Sequence, residues 1–190
     1  MFLIKYPNNI TKDKTNKYLN YGNRGMSLEN DLNITNNYYL EKDIAVIYKK
    51  PTPIQIVKQV NNKIVDAYFK APSTTDYNGL YKGKYIDFEA KETTSKTNFP
   101  LINIHEHQIK HIERIINHGG IAFLIVRFSK LNLTYLLYGK DFMDFINNEK
   151  RKSIPISYFK EKAYLIKEKL MPRLDYLKII DENWRKYEKE

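Results

Sequence analysis

"YKGKYIDFEAKE", residues 81–92, is the stretch on which the fold turns. From Tyr85 onward polar and apolar residues alternate, so Ile86, Phe88 and Ala90 point to one side of a strand. Tyr85, Asp87, Glu89 and Lys91 point to the other, which sets two acids and a lysine side by side on one face. Lys82-Gly83 lies between two strand-like runs, as in a two-residue hairpin loop. In that register Asp76 sits directly opposite Glu89, with Cβ atoms about 5 Å apart. Asn78-Gly79 is a rival turn signal. Two carboxylates so placed repel by about 3 kcal/mol at an effective dielectric near 20, and something cationic has to offset that cost. Lys91 is on the same face, and a divalent ion would bridge the acids. Glu89-Ala90-Lys91 is the only acid-any-lysine triplet in the chain. The competing reading is an exposed sheet face laced with ion pairs.

Composition narrows the partner. The 190 residues carry 32 Lys and Arg against 22 Asp and Glu, a net charge of +10. Such a balance favours a polyanionic partner, nucleic acid or an anionic membrane, without choosing between them. Sixteen tyrosines supply rings with polar tips, suited to wet interfaces and sugar-phosphate surfaces. No cysteine is present, which excludes disulfides and thiolate metal sites and fits a reducing compartment. The acids and other oxygen donors then favour Mg²⁺ or Mn²⁺ over zinc. The apolar run "IAFLIV" (121–126) is too short to span a bilayer, and "MFLIKYPNN" lacks a signal-peptide layout. The expectation is a soluble, cytoplasmic protein with no membrane association.

Along the chain, residues 1–22 are polar and rich in Asn and Lys, an expected flexible basic arm. The remainder, 23–190, reads as one domain. Ser27 caps a helix carrying Leu28, Leu32, Tyr39 and Leu40. "IAVIYKK" (44–50) reads as a buried strand ended by "PTP". "IQIVKQV" and "KIVDAYF" flank Asn61-Asn62 as a hairpin. Asn103 with Glu106 resembles a capping box, and the helix it opens is stopped at Gly119-Gly120. Strands follow at "IAFLIVRF" and "LTYLLYG", then helices over 140–149 and 157–170, and "DYLKII" (175–180) as a last strand. The whole is a mixed α/β domain around one sheet. His105, His107, His111 and His118 all fall on the 103–118 helix. His107 and His111 have the i, i+4 spacing of a zinc pair but lack a third ligand.

Asp76 followed by Glu89-Ala90-Lys91 resembles the PD-(D/E)xK nuclease motif. "STTDYNGLYKGKYIDFEAKET" (73–93) also resembles the signature of RecU-type Holliday junction resolvases of low-GC Gram-positive bacteria. "NRGMSLENDLN" (23–33), "YYLE" (38–41), "KKPTPIQIV" (49–57), "FPLINIHEHQI" (99–109) and "PRLDYLKIID" (172–181) are similar to further segments of that family, in its order. The likeness covers residues 21–181. Thr75 replaces the motif's usual proline, a departure that RecU-type proteins share.

By that resemblance the fold is an α/β/α, restriction-endonuclease-like core with a central mixed sheet, working as a homodimer. The hairpin of about 54–69 becomes a projecting stalk that enters the junction. The resemblance implies that Thr74, Asp76, Glu89 and Gln108 surround Mg²⁺, with Mn²⁺ as substitute, and that Lys91 stabilises charge. It places Arg24 and Glu29 beside the site, and it implies a modulating contact with the RecA recombinase. Arg24, Lys49, Lys50, Lys58 and Lys63 are the expected DNA-backbone contacts, and Asp87 is expected to pair with a basic residue. The implied activity is Mg²⁺-dependent, symmetric nicking of four-way and branched DNA in recombination and repair. A nuclease of the same superfamily with another DNA target, or a catalytically silent basic DNA-binding module, are the alternatives.

Overall fold

The computed structural model describes residues 27–69 and 74–184. The expected basic arm and Arg24 lie outside the described residues. The elements run in the order α1 (Leu28–Glu41), β1 (Val46–Lys49), β2 (Ile54–Val60), β3 (Lys63–Phe69), β4 (Tyr77–Tyr81), β5 (Lys84–Thr93), β6 (Asn98–Pro100) and α2 (Glu106–Asn117). There follow β7 (Ile121–Phe128), β8 (Leu133–Tyr138), α3 (Gly139–Asn148), β9 (Ser153–Pro155), α4 (Ile156–Lys162), β10 (Tyr164–Ile166) and α5 (Tyr176–Asn183).

A six-stranded sheet ordered β1-β4-β5-β7-β8-β10 forms the centre. β5 and β7 are parallel and every other neighbouring pair is antiparallel, so the sheet is mixed. Strand alternation splits the apolar side chains into two layers. Ile86, Phe88, Ala90, Phe123 and Ile125 join Leu28, Leu32 and Tyr39 of α1 and Tyr176, Leu177 and Ile180 of α5. Ala122, Leu124, Val126 and Phe128 join Ile112 of α2, Phe142 and Phe145 of α3 and Phe159 of α4. This is the α/β/α arrangement expected from the sequence. Each fully buried large side chain contributes about 2 kcal/mol by leaving water, which explains why both faces are covered.

The turn chemistry decides the register that matters. Lys82 (φ 47°) and Gly83 (φ 76°) are both left-handed, as a type I′ hairpin requires. β4 and β5 then pair from Tyr81↔Lys84 to Tyr77↔Phe88. The next position out is Asp76 against Glu89. Asn78-Gly79 lies inside β4 rather than in a turn. Asn61 (φ 48°) and Asn62 (φ 61°) make the same kind of turn between β2 and β3. That hairpin is a separate two-stranded sheet, and all fourteen of its strand residues are exposed.

Four local expectations are corrected. "IAVIYKK" supplies β1 at the sheet's edge, and of its four strand residues only Ile47 is buried. The helix over 157–170 stops at Lys162, and Tyr164–Ile166 instead pairs with β8 as the sheet's edge strand. With that edge filled, "DYLKII" packs on the sheet's face as α5, burying Tyr176, Leu177 and Ile180 at helical spacing. The cap of α2 is His105 rather than Asn103, because residues 101–103 form a 3₁₀ turn and Ile104 dips into the core.

Candidate active site

β5 turns its apolar row toward α1 and α5, which leaves Asp87, Glu89 and Lys91 facing the α2 side of the sheet. Glu89 is fully buried. Its Oε1 accepts from Lys91 Nζ at 2.5 Å and from Gln108 Nε2 at 2.7 Å. Its Oε2 is also buried and has no hydrogen-bond donor among the described residues. Burial, then the neighbouring charge of Asp76, push the Glu89 carboxyl up to about 7, against the lowering pull of Lys91. Asp76 is half-buried and anchored by its Oδ2, which accepts the Ala90 main-chain N–H at 3.1 Å. That bond crosses from the loop before β4 to β5 and holds the acid beside Glu89.

Gln108 sits in the first turn of α2. Its Oε1 accepts the His105 N–H at 3.0 Å, which satisfies one of the helix's orphan donors. The amide therefore turns its nitrogen, a donor, toward Glu89. As placed, Gln108 presents its nitrogen to the Glu89 carboxylate and its oxygen to the His105 N–H.

Asp87, also fully buried, is surrounded by donors. Lys50 Nζ lies 2.7 Å from its Oδ2, Tyr85 Oη donates at 2.9 Å, and His111 Nε2 is 3.2 Å away. Thr75 Oγ1 donates to Oδ1. Thr74 is exposed, with Oγ1 3.1 Å from Lys50 Nζ. Among the described residues no group of three or more His, Asp or Glu side chains is arranged to hold an ion. Asp76 and Glu89 are thus a pair, and the Thr74 hydroxyl, on the loop that carries Asp76, is bonded to the Lys50 ammonium. His107 and His111 do not form part of a metal cluster.

The basic residues separate into distinct environments. Lys49 pairs with Glu29 of α1 at 2.5 Å. Lys50, expected on the DNA-facing surface, turns inward with its side chain only 15% exposed. Lys58 and Lys63 are exposed on the free hairpin. The alternation of β5 already put Tyr85 and Asp87 beside Glu89, but the arrival of Lys50 and His111 there had no local signal. It depends on β1 pairing with β4 and on α2 lying over β5.

Fold and site together define an α/β/α protein whose paired acids and lysine follow the Asp…Glu-x-Lys pattern. The chain belongs to the Recombination protein U (RecU) family, whose model matches residues 23–182. A Holliday junction resolvase RecU of Streptococcus thermophilus is 47% identical over 191 residues, covering 94% of this chain and 96% of that protein. Another Holliday junction resolvase RecU, from Geobacillus sp., is 50% identical over 194 residues, with the same coverages. Among solved structures, Archaeoglobus fulgidus Hjc, a Holliday junction resolvase, is similar with a TM-score of 0.41 and 12% identity, covering 70% of this chain and 89% of that one.

Proposed function

We propose that this protein is an endonuclease that resolves four-way DNA junctions by nicking strands of like polarity, acting as a homodimer in the cytoplasm. One observation carries the reading. Among the described residues, a fully buried Glu89 keeps an oxygen without any donor, beside a second carboxylate and a lysine, in a chain that belongs to this family. A purely structural acid in such a place would be neutralised on both oxygens, since an unsatisfied buried group costs about 1–3 kcal/mol.

The donor set fits a divalent cation of the hard, oxygen-seeking kind, Mg²⁺ with Mn²⁺ as substitute. Asp76 and Glu89 would hold it, with the Thr74 hydroxyl nearby and Gln108 acting through its bond to Glu89. When bound, such an ion polarises the scissile phosphate and makes water a better nucleophile. The chain's own residues supply the rest. Lys91, 24% exposed and tied to Glu89, carries a fixed positive charge at the mouth of the site, suited to phosphoryl oxygens that gain charge in the transition state. Gln108 and the Ala90 N–H prevent the two acids from turning away from each other. The exposed hairpin, with Lys58 and Lys63, is the element that enters the junction. Lys49 flanks the site as a backbone contact, as would Arg24. A two-fold dimer supplies paired sites for symmetric cleavage. A modulating contact with the RecA recombinase belongs to the same reading and rests on family membership alone.

The test is to incubate the purified protein with labelled junction, flap and duplex DNA, in Mg²⁺ or EDTA. Symmetric Mg²⁺-dependent nicks confined to the junction are expected. Asp76→Asn and Glu89→Gln should keep junction binding and lose cleavage. Nicking of duplex or flaps at the junction rate would favour another target, and binding without any nicking would favour a silent DNA-binding module.

A further inference from the structure

Lys50 stands where every segment of the site converges. Its ammonium lies 2.6 Å from Thr75 Oγ1 and 3.1 Å from Thr74 Oγ1, on the loop that delivers Asp76. It lies 2.7 Å from Asp87 Oδ2, on the strand that delivers Glu89. It is 3.5 Å from His111 Nε2, on the helix that delivers Gln108. Its own main-chain N–H donates to the carbonyl of Asp76 at 2.7 Å. Among the described residues no other ammonium joins three elements in this way at the site, and the carboxylate it faces is completely buried.

We propose that Lys50 is a positioning residue for cleavage rather than a DNA contact. It fixes the 74–76 loop against β5 and α2, so that Asp76 and Glu89 meet at a separation that a single divalent ion can span. The chemistry favours this role. A buried carboxylate needs a compensating cation, and a lysine that provides one is not available to a phosphate. The loop before β4 has no regular hydrogen-bond ladder of its own. Bonds from Lys50 to Thr74, Thr75 and the Asp76 carbonyl therefore fix the loop from which Asp76 reaches the Ala90 N–H, much as outer partners orient the ligands of a metal site.

This inference rests on the nuclease reading above. The experiment measures Mn²⁺ binding to the full-length protein from the free-ion electron paramagnetic resonance signal. Junction affinity in EDTA and the single-turnover nicking rate are measured alongside. Lys50→Met should weaken Mn²⁺ binding and slow nicking at least ten-fold each, with junction affinity within two-fold of the parent. Asp87→Asn removes the ammonium's main anchor and should shift both readouts in the same direction. It carries the test if Lys50→Met does not fold. Simple deletion of a positive charge near two acids predicts the reverse, tighter Mn²⁺ binding, and that result would overturn the proposal. Weaker junction binding with a shallower salt dependence and unchanged Mn²⁺ affinity would overturn it too, by making Lys50 a phosphate contact. If the parent neither binds Mn²⁺ nor nicks junctions, the nuclease reading itself fails. If the parent does both and Lys50→Met matches it, only the role of Lys50 fails.

Discussion

Gln108 donates to Oε1 of Glu89 at 2.7 Å while its own oxygen accepts the His105 N–H at 3.0 Å. One amide thus caps a helix and aims the buried acid, with its nitrogen on the carboxylate and its oxygen on the helix's first turn. Gln108→Leu keeps the bulk and removes both bonds. Its stability should fall by about 1 kcal/mol, the worth of a cap, and its nicking rate by at least ten-fold. Gln108→Glu puts a third carboxylate where a donor stood, and nicking should fall with it as well. Faster nicking or tighter Mn²⁺ binding by Gln108→Glu would show that the residue acts as a ligand.

Glu89 makes folding pH-dependent in a definite direction. Its pKa in the fold, about 7, lies above its ordinary value of 4.5. The folded, ion-free protein therefore keeps a proton that the unfolded chain releases. The resulting cost is absent below about pH 4.5 and complete above about pH 7, on the order of 3 kcal/mol. Glu89→Gln removes this cost, so calorimetry should find the variant melting above the parent at pH 8 and close to it at pH 5. Equal differences at both pH values would refute this account. Mg²⁺ should raise the parent's melting point at pH 8 and leave that of the variant nearly unchanged.

Lys58 and Lys63 project from a hairpin that pairs with no other strand among the described residues. If they contact junction phosphates, each substitution by Ala should weaken binding and lower the log–log salt slope by about 1. The Mn²⁺ affinity should not change. A slope identical to the parent's, measured by fluorescence anisotropy between low and moderate salt, would remove the hairpin lysines from the interface.

Gly79 lies inside β4 because β1 passes too close for any side chain. A Cβ there would stand 2.1 Å from the Val46 carbonyl oxygen and 2.6 Å from Ile47 Cα. Both are backbone atoms that cannot rotate aside. Gly79→Ala should cost about 3 kcal/mol in urea unfolding. It should also slow nicking, because β1 carries Lys50 at its end.

Much of the site was legible before any fold was known. Two-residue alternation over 85–91 separated the core row from the charged row, and left-handed Lys82-Gly83 set the partner of each residue. Ser27 was legible as a helix cap, accepting the Asn30 N–H, as was the stop at Gly119, whose φ is +80°. Asn61-Asn62 marked the hairpin. These signals are short-range, because periodicity and turn conformation depend on residues a few positions apart. They were enough to place Asp76 across from Glu89 and Lys91 on the same face.

What stayed hidden was decided across long sequence separations. Tyr164–Ile166 pairs with β8 at the sheet's edge, a long-range contact no local pattern marks, and "DYLKII" packs as a helix on the sheet's face. Lys50 reads as a surface lysine until β1 pairs with β4 and brings it to Asp87, 37 positions away. The rotation of the Gln108 amide likewise depended on His105 replacing Asn103 as the cap. The sequence by itself determined which residues share a strand face and a turn. Only the tertiary structure decided which charges are buried together, since desolvation and pairing energies exist only once distant segments exclude water from between them.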